Sequence, residues 1–197
     1  MHTIEPYYSW RDYYIVAEDN NSPYFGKEYS EFLFSEKIYN YFIHPQWDGF
    51  GSDTLYLKIL FVDYKIGCMI IELIGEWNDC IDNDILFFKQ NIIDHFIKHQ
   101  IYKFILIGEN VLNFHASDDC YYEEWYNDIK EEDGWVACVN FREHIVSEMR
   151  ETNLHHYVNI GEYTSWRTLK PIDFCLVIEN LLQRQLGSPQ DTMDISD

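Results

Sequence analysis

Lys103-Phe104-Ile105-Leu106-Ile107-Gly108 and, further on, Trp135-Val136-Ala137-Cys138-Val139-Asn140 are two short apolar runs, each closed by a breaker. Between them Tyr122, Trp125, Tyr126 and Ile129 recur at helical spacing, and after the second run Ile145, Val146 and Met149 do the same. Short apolar runs alternating with segments of helical period mark βαβ units, and hence a parallel sheet with helical crossovers. Sheets of this kind bind their ligands at the loops leaving the strands. The strand at 103–107 is expected to stop at Gly108. That leaves a loop, 108–119, ending in His115-Ala116-Ser117-Asp118-Asp119.

Upstream, Thr54 to Tyr64 alternates, with Leu55, Leu57, Ile59, Phe61 and Asp63 expected on one face and Tyr56, Lys58, Leu60 and Val62 on the other. Tyr64-Lys65-Ile66-Gly67 makes a turn, and the chain returns over 68–75. Strands joined this closely are antiparallel, so a hairpin precedes the parallel strands. Asn78 or Asp79 is the expected cap of a helix whose buried stripe is Ile81, Ile85, Phe88, Ile92 and Phe96, widened by Leu86, Ile93 and Ile97. Pro171 suits the first turn of a last helix with Phe174, Val177, Ile178, Leu181 and Leu182 inward. A last strand is expected at 157–160. Three regions result: an irregular, Tyr-rich extension over 1–53, an α/β domain over 54–186, and a disordered acidic tail over 187–197.

Composition limits the partners. With 34 acidic against 14 basic residues the net charge is −20, which repels nucleic acid and anionic membranes and favours a basic protein partner. The longest apolar runs are strand-sized and interrupted by Lys58, Asp63 or Glu72, so no membrane span is expected, and Met1 to Pro6 has no secretory character. Five cysteines, none at CxxC spacing, point to a reducing cytoplasm and away from a zinc knuckle or dithiol pair. No GxGxxG, P-loop or GxSxG motif is present, and no cofactor is expected. The aromatic content of residues 1–53 leaves a homodimer formed through that segment as an alternative.

The order of hairpin, helix, strand, helix, strand, helix, strand, helix resembles a STAS-type domain, the fold of anti-sigma factor antagonists. The residues that carry the likeness are Phe104 to Phe114, Trp135 to Asn140 with Phe141 to Met149, and Thr152 to Tyr157. The resemblance implies a non-catalytic regulator that binds a protein partner, with a phosphorylatable serine in the loop after the central strand. Ser117 falls near that position. The family carries a small residue next, whereas here Asp118 and Asp119 follow and would repel an added phosphate.

The residues themselves give two further readings of the same stretch. Ser117 or Asp118 is a good N-cap, and Asp119, Glu123 and Glu124 suit the first turns of the following helix. His115, Asp118, Asp119 and Glu123 also offer oxygen and nitrogen ligands, which makes a metal-assisted hydrolase the alternative function, although their spacing matches no zinc or calcium loop. Cys120 with His115 has no third group to orient it as a nucleophile. From Asp118 to Asp133 there are eight acids (Asp118, Asp119, Glu123, Glu124, Asp128, Glu131, Glu132, Asp133) against Lys130 alone. Glu123 and Asp128 are expected to project from the face opposite Tyr122, Trp125 and Tyr126. The expected partner site is therefore Ser117, Asp118, Asp119, Glu123 and Asp128, where charge would speed encounter with a basic protein.

Overall fold

The computed structural model describes residues 4–187. Strands β1 (Lys37–Ile38) and β2 (Tyr41–Phe42) form a small hairpin. The main sheet holds β3 (Leu55–Asp63), β4 (Cys68–Asn78), β5 (Lys103–His115), β6 (Trp135–Val139) and β7 (Asn159–Gly161), in that spatial order. β3 and β4 pair antiparallel, and every later pair is parallel. This is the mixed sheet expected from the sequence, an antiparallel hairpin followed by parallel strands with helical crossovers, with Lys103–Ile107 in register against Trp135–Val139.

The crossovers are helical. α1 (Asp84–Phe88), a π-helical turn (Lys89–Ile93) and α2 (Asp94–Ile97) run on from one another between β4 and β5. α3 (Cys120–Ile129) links β5 to β6, α4 (Glu143–Glu151) leads to β7, and α5 (Pro171–Gly187) ends the described chain. Gly187, expected to open the tail, is the last residue of α5; residues 188–197 lie outside the described residues.

One face of the sheet, through Leu57, Met69, Ile71, Phe104, Leu106 and Cys138, packs on Phe88, Ile92, Phe96, Trp125, Ile129, Ile145 and Met149 of the crossover helices. The opposite face carries two apolar clusters. One joins Leu60, Phe61, Ile70, Ile105 and Val139 to Trp10, Trp166 and Phe174; the other joins Tyr56 and Ile74 to Ile38, Ile43 and Trp47. Residues before Thr54 thus share the interior, and Val16 and Phe50 reach the helix-side cluster as well.

The expected alternation of β3 fails at one point. The register slips between Ile59 and Phe61, so Val62 rather than Phe61 continues the helix-side face and Phe61 turns to the other. One extra residue in a strand reverses the facing of everything after it.

Candidate functional site

The expected loop 108–119 is mostly strand. β5 continues to His115 because β4 also runs long, and the ladder extends through Ile74–Asn110 and Trp77–Phe114 to Asn78–His115. Gly108, read as a stop, instead makes room: a Cβ there would lie 2.4 Å from the Phe141 ring. The connection between β5 and α3 shrinks to residues 116–119.

Within that loop Ser117 is exposed and makes no hydrogen bond among the described residues, so it caps nothing. Asp119 holds the N-cap position without a side-chain cap bond. Its Oδ2 accepts instead from the Tyr157 hydroxyl at 3.1 Å, while its carbonyl accepts the Glu123 N–H at 2.9 Å. Asp118 Oδ1 accepts the Cys120 N–H at 3.2 Å. Hydrogen bonds from the Cys120 thiol and backbone hold the Asp118 carboxyl below its usual range. In return Asp118 pushes the Cys120 thiol up to about 11, so Cys120 is a protonated thiol at neutral pH and a poor nucleophile. His115, Asp118, Asp119 and Glu123 do not converge. Among the described residues no group of three His, Cys, Asp or Glu side chains is placed to hold a metal ion.

The acidic helix is less free than its sequence suggests. Lys89 is 2% exposed, and its ammonium donates to Asp94 at 2.8 Å, Glu124 at 2.8 Å and Asp128 at 2.9 Å. Burial disfavours that charge, but the three carboxylates outweigh it and hold the Lys89 pKa above its ordinary value. Asp128 therefore serves Lys89. Glu123, Glu131, Glu132 and Asp133 stay exposed. Tyr126, expected in the core, is 37% exposed with its ring 6.1 Å from that of Tyr157, and Tyr121 packs on the core cluster instead.

A residue the sequence misplaced completes the surface. Ile81, expected in the buried stripe of the first crossover helix, is 78% exposed. The helix begins only at Asp84, because Asn78 and Asp79 belong to a built turn. Asn78 Oδ1 accepts the Ile81 N–H at 3.1 Å. Asp79 accepts from Trp77 Nε1 (2.9 Å), the Ile85 N–H (2.8 Å) and the Tyr122 hydroxyl (2.7 Å). Burial lifts the Asp79 carboxyl to about 6 in spite of these donors. The Asp79 and Cys80 N–H groups both donate to the His115 carbonyl, and the Cys80 thiol donates to Ala116 O. Ile81 is thereby tethered beside the 116–119 loop.

The sheet face away from the helices holds a second polar group that sequence showed only as interruptions of apolar runs. Lys58 and Glu72 face each other in register between the two apolar clusters. Glu72 accepts the Tyr7 N–H at 2.8 Å and Asn110 Nδ2 at 3.3 Å, and burial lifts its carboxyl to about 7. Beyond it Glu109 accepts from Trp166 Nε1 (2.8 Å), Asn140 Nδ2 (3.0 Å) and both guanidinium nitrogens of Arg167 (3.1 and 2.5 Å). Burial raises the Glu109 carboxyl, and Arg167 with the indole reverses this to a net lowering.

No family model matches the chain, and no curated protein matches it either. Among solved structures it is similar to the anti-sigma factor antagonist SpoIIAA in its unphosphorylated form. That likeness has a TM-score of 0.46 at 12% identity and covers 68% of this chain and 99% of that one. SpoIIAA of Bacillus in the phosphorylated form gives 0.41 at 12% identity, covering 66% and 98%. A putative anti-sigma factor antagonist from Thermotoga maritima gives 0.42 at 23% identity, covering 55% and 86%. Likenesses this distant fix no residue correspondence, and the fold rests on the strand pairing described above.

Proposed function

We propose that this chain is a non-catalytic, cytoplasmic regulatory protein that binds a basic protein partner at the 116–119 loop and the acids beside it. Ser117, Asp118, Asp119 and Glu123 make the contact, with Asp128 at its margin. One observation carries the reading: Ile81, 78% exposed, is tied through Cys80 to the acidic loop. An exposed aliphatic anchor with charged neighbours is the arrangement in which an apolar centre supplies affinity and the rim supplies steering. The protonated Cys120 thiol is a poor nucleophile, which fits a binding role. Ser117 is an accessible hydroxyl, and a phosphate there would add charge for a basic partner to meet. No helix among the described residues is long and apolar enough to cross a membrane.

The test is association of a partner captured from the native source by cross-linking, measured at low and high salt. Ile81→Ser should speed dissociation at least about tenfold, the loss of one buried aliphatic anchor. Glu123→Lys should slow association and flatten its salt dependence. Wild-type rates and salt slope in both variants would remove the site.

A further inference from the structure

Beside β3, where Asp48 bridges Leu57, this acidic protein gathers more positive than negative charge. Asp48 is fully buried; its carboxylate accepts from Lys27 Nζ at 2.8 Å, Lys58 Nζ at 2.9 Å and the Tyr29 hydroxyl at 2.7 and 2.9 Å. Arg11 stands close enough to oppose the Lys58 charge, and among the described residues its guanidinium has only the Gln46 carbonyl oxygen, at 3.3 Å. Two ammonium groups thus meet one buried carboxylate, with a guanidinium close by, in a chain of net charge −20. Glu72, opposite Lys58 in register, adds at most one negative charge, which leaves Lys27, Lys58 and Arg11 in surplus over the two carboxylates.

A cavity of about 180 Å³ opens beside these groups, lined by the polar Arg11, Lys58 and Gln46 and by Trp10, Tyr14 and Leu60. An ammonium has three donors, and Asp48 takes one from Lys58 while the Tyr29 ring lies under its nitrogen at 3.6 Å. We propose that this cavity binds a small organic monocarboxylate, its carboxylate received by Arg11 and the remaining N–H of Lys58, its apolar body held against Trp10, Tyr14 and Leu60. The guanidinium fork matches a carboxylate. The apolar walls select a ligand with a hydrocarbon or aromatic body. A single anionic charge suits a local surplus this small, whereas a dianionic phosphate meets the repulsion of the whole molecule. This site is separate from the proposed docking surface, so either stands without the other.

Benzoate, its neutral analogue benzamide and inorganic phosphate are the probes, titrated into the full chain by calorimetry. Benzoate should bind saturably at one site, with benzamide at least about tenfold weaker for want of the charge-assisted hydrogen bonds. Arg11 is exposed, so Arg11→Gln should keep the melting temperature and weaken benzoate at least about tenfold. Lys58→Met should also abolish binding. Should it fail to fold, Arg11→Gln decides alone. Equal affinity for benzoate and benzamide, unchanged benzoate affinity in Arg11→Gln, or phosphate binding more tightly than benzoate would each overturn the proposal.

Discussion

The two faces of the main sheet are built by different physics. The helix-side face is apolar from β3 to β6, and its large side chains pack mainly on the apolar stripes of the crossover helices. The other face is divided by a polar seam of Lys58, Glu72 and Glu109, covered by the segment before β3, by the Trp166 stretch and by α5. On the first, stability follows apolar area and needs no specific partner. On the second, each buried charge needs a named partner, because an unpaired one costs several kcal/mol. A face of the second kind is conditional on its covering segment, which leaves it open to pH and ligands.

The largest expected effects weigh the faces against each other. Phe104→Ala empties a site packed edge-on against Trp125 and should cost about 3–5 kcal/mol in urea unfolding. Asp48→Ala should cost a similar 3–5 kcal/mol by a different route, since it strands Lys58 and Lys27. The routes separate in a second variant. Adding Lys58→Met to Asp48→Ala should recover part of the loss, whereas no single polar change can rescue Phe104→Ala. No recovery in the double variant would mean that Asp48 acts through packing and that the two faces are alike.

The next effect is a pH dependence confined to buried carboxyls. Burial raises Glu72 to about 7 and Asp79 to about 6, so between the ordinary carboxyl range and those values the folded chain binds more protons than the unfolded one. Their contribution to stability is therefore complete below about pH 4 and is lost as the pH climbs to about 7. The wild type should be less stable at pH 8 than at pH 5. Glu72→Gln, which keeps an acceptor for the Tyr7 N–H without a charge, should shrink that difference by about 1–3 kcal/mol. An unchanged difference would place the pH sensitivity elsewhere. Glu72→Gln also tests whether the seam is closed from above, because Tyr7 is its only backbone donor among the described residues.

How much of this was legible depends on which face a residue serves. The parallel pairing of 103–107 with 135–139, the opening hairpin and α4 follow from apolar periodicity, and they hold. The β5 extension was hidden because Gly108, Glu109, Asn110 and Asn113 read as a polar loop. Their partners are long-range: Phe141 packs over Gly108, Arg167 forks onto Glu109, and Asn113 donates to Glu76. Ile81 was misplaced because Asn78 and Asp79 look like a helix cap, whereas they hold a turn that starts the helix five residues after Asp79, at Asp84. Lys58 and Glu72 were visible only as charges in strands. That they pair across the ladder depends on a register no local pattern reveals. Deleting residues 1–50 would not test a dimer formed through that segment, since Trp10, Trp47 and Phe50 are core residues. A Phe32→Ser, Leu33→Ser variant is the usable test, because those side chains are 89% and 70% exposed. Loss of a dimer on size exclusion without a change in melting temperature would support self-association through that segment.

A smaller effect separates the structured part of α3 from its exposed part. Lys89→Met should leave Asp94, Glu124 and Asp128 facing one another and cost about 1–3 kcal/mol, limited by the solvent that reaches all three carboxylates. High salt should reduce that cost by screening the repulsion left behind. Glu123→Gln, on an exposed residue of the same helix with no hydrogen-bonded side-chain partner among the described residues, should change stability by less than about 0.5 kcal/mol.

The smallest effect is the most informative about the loop. An N-cap serine replaced by alanine loses about 0.5–2 kcal/mol, and the sequence of 115–119 invites that expectation. The structure gives Ser117 no bond to lose, so Ser117→Ala should fall within about 0.5 kcal/mol of the wild type. Asp118→Ala, which frees the Cys120 N–H at the start of α3, should cost about 0.5–1 kcal/mol. Chemical denaturation of the two variants side by side makes the comparison, and their order matters more than either value. A costlier serine would return the cap to Ser117 and tie its hydroxyl to the helix. A costlier aspartate leaves that hydroxyl unspent at the tip of the loop, where the proposed contact with a partner needs it.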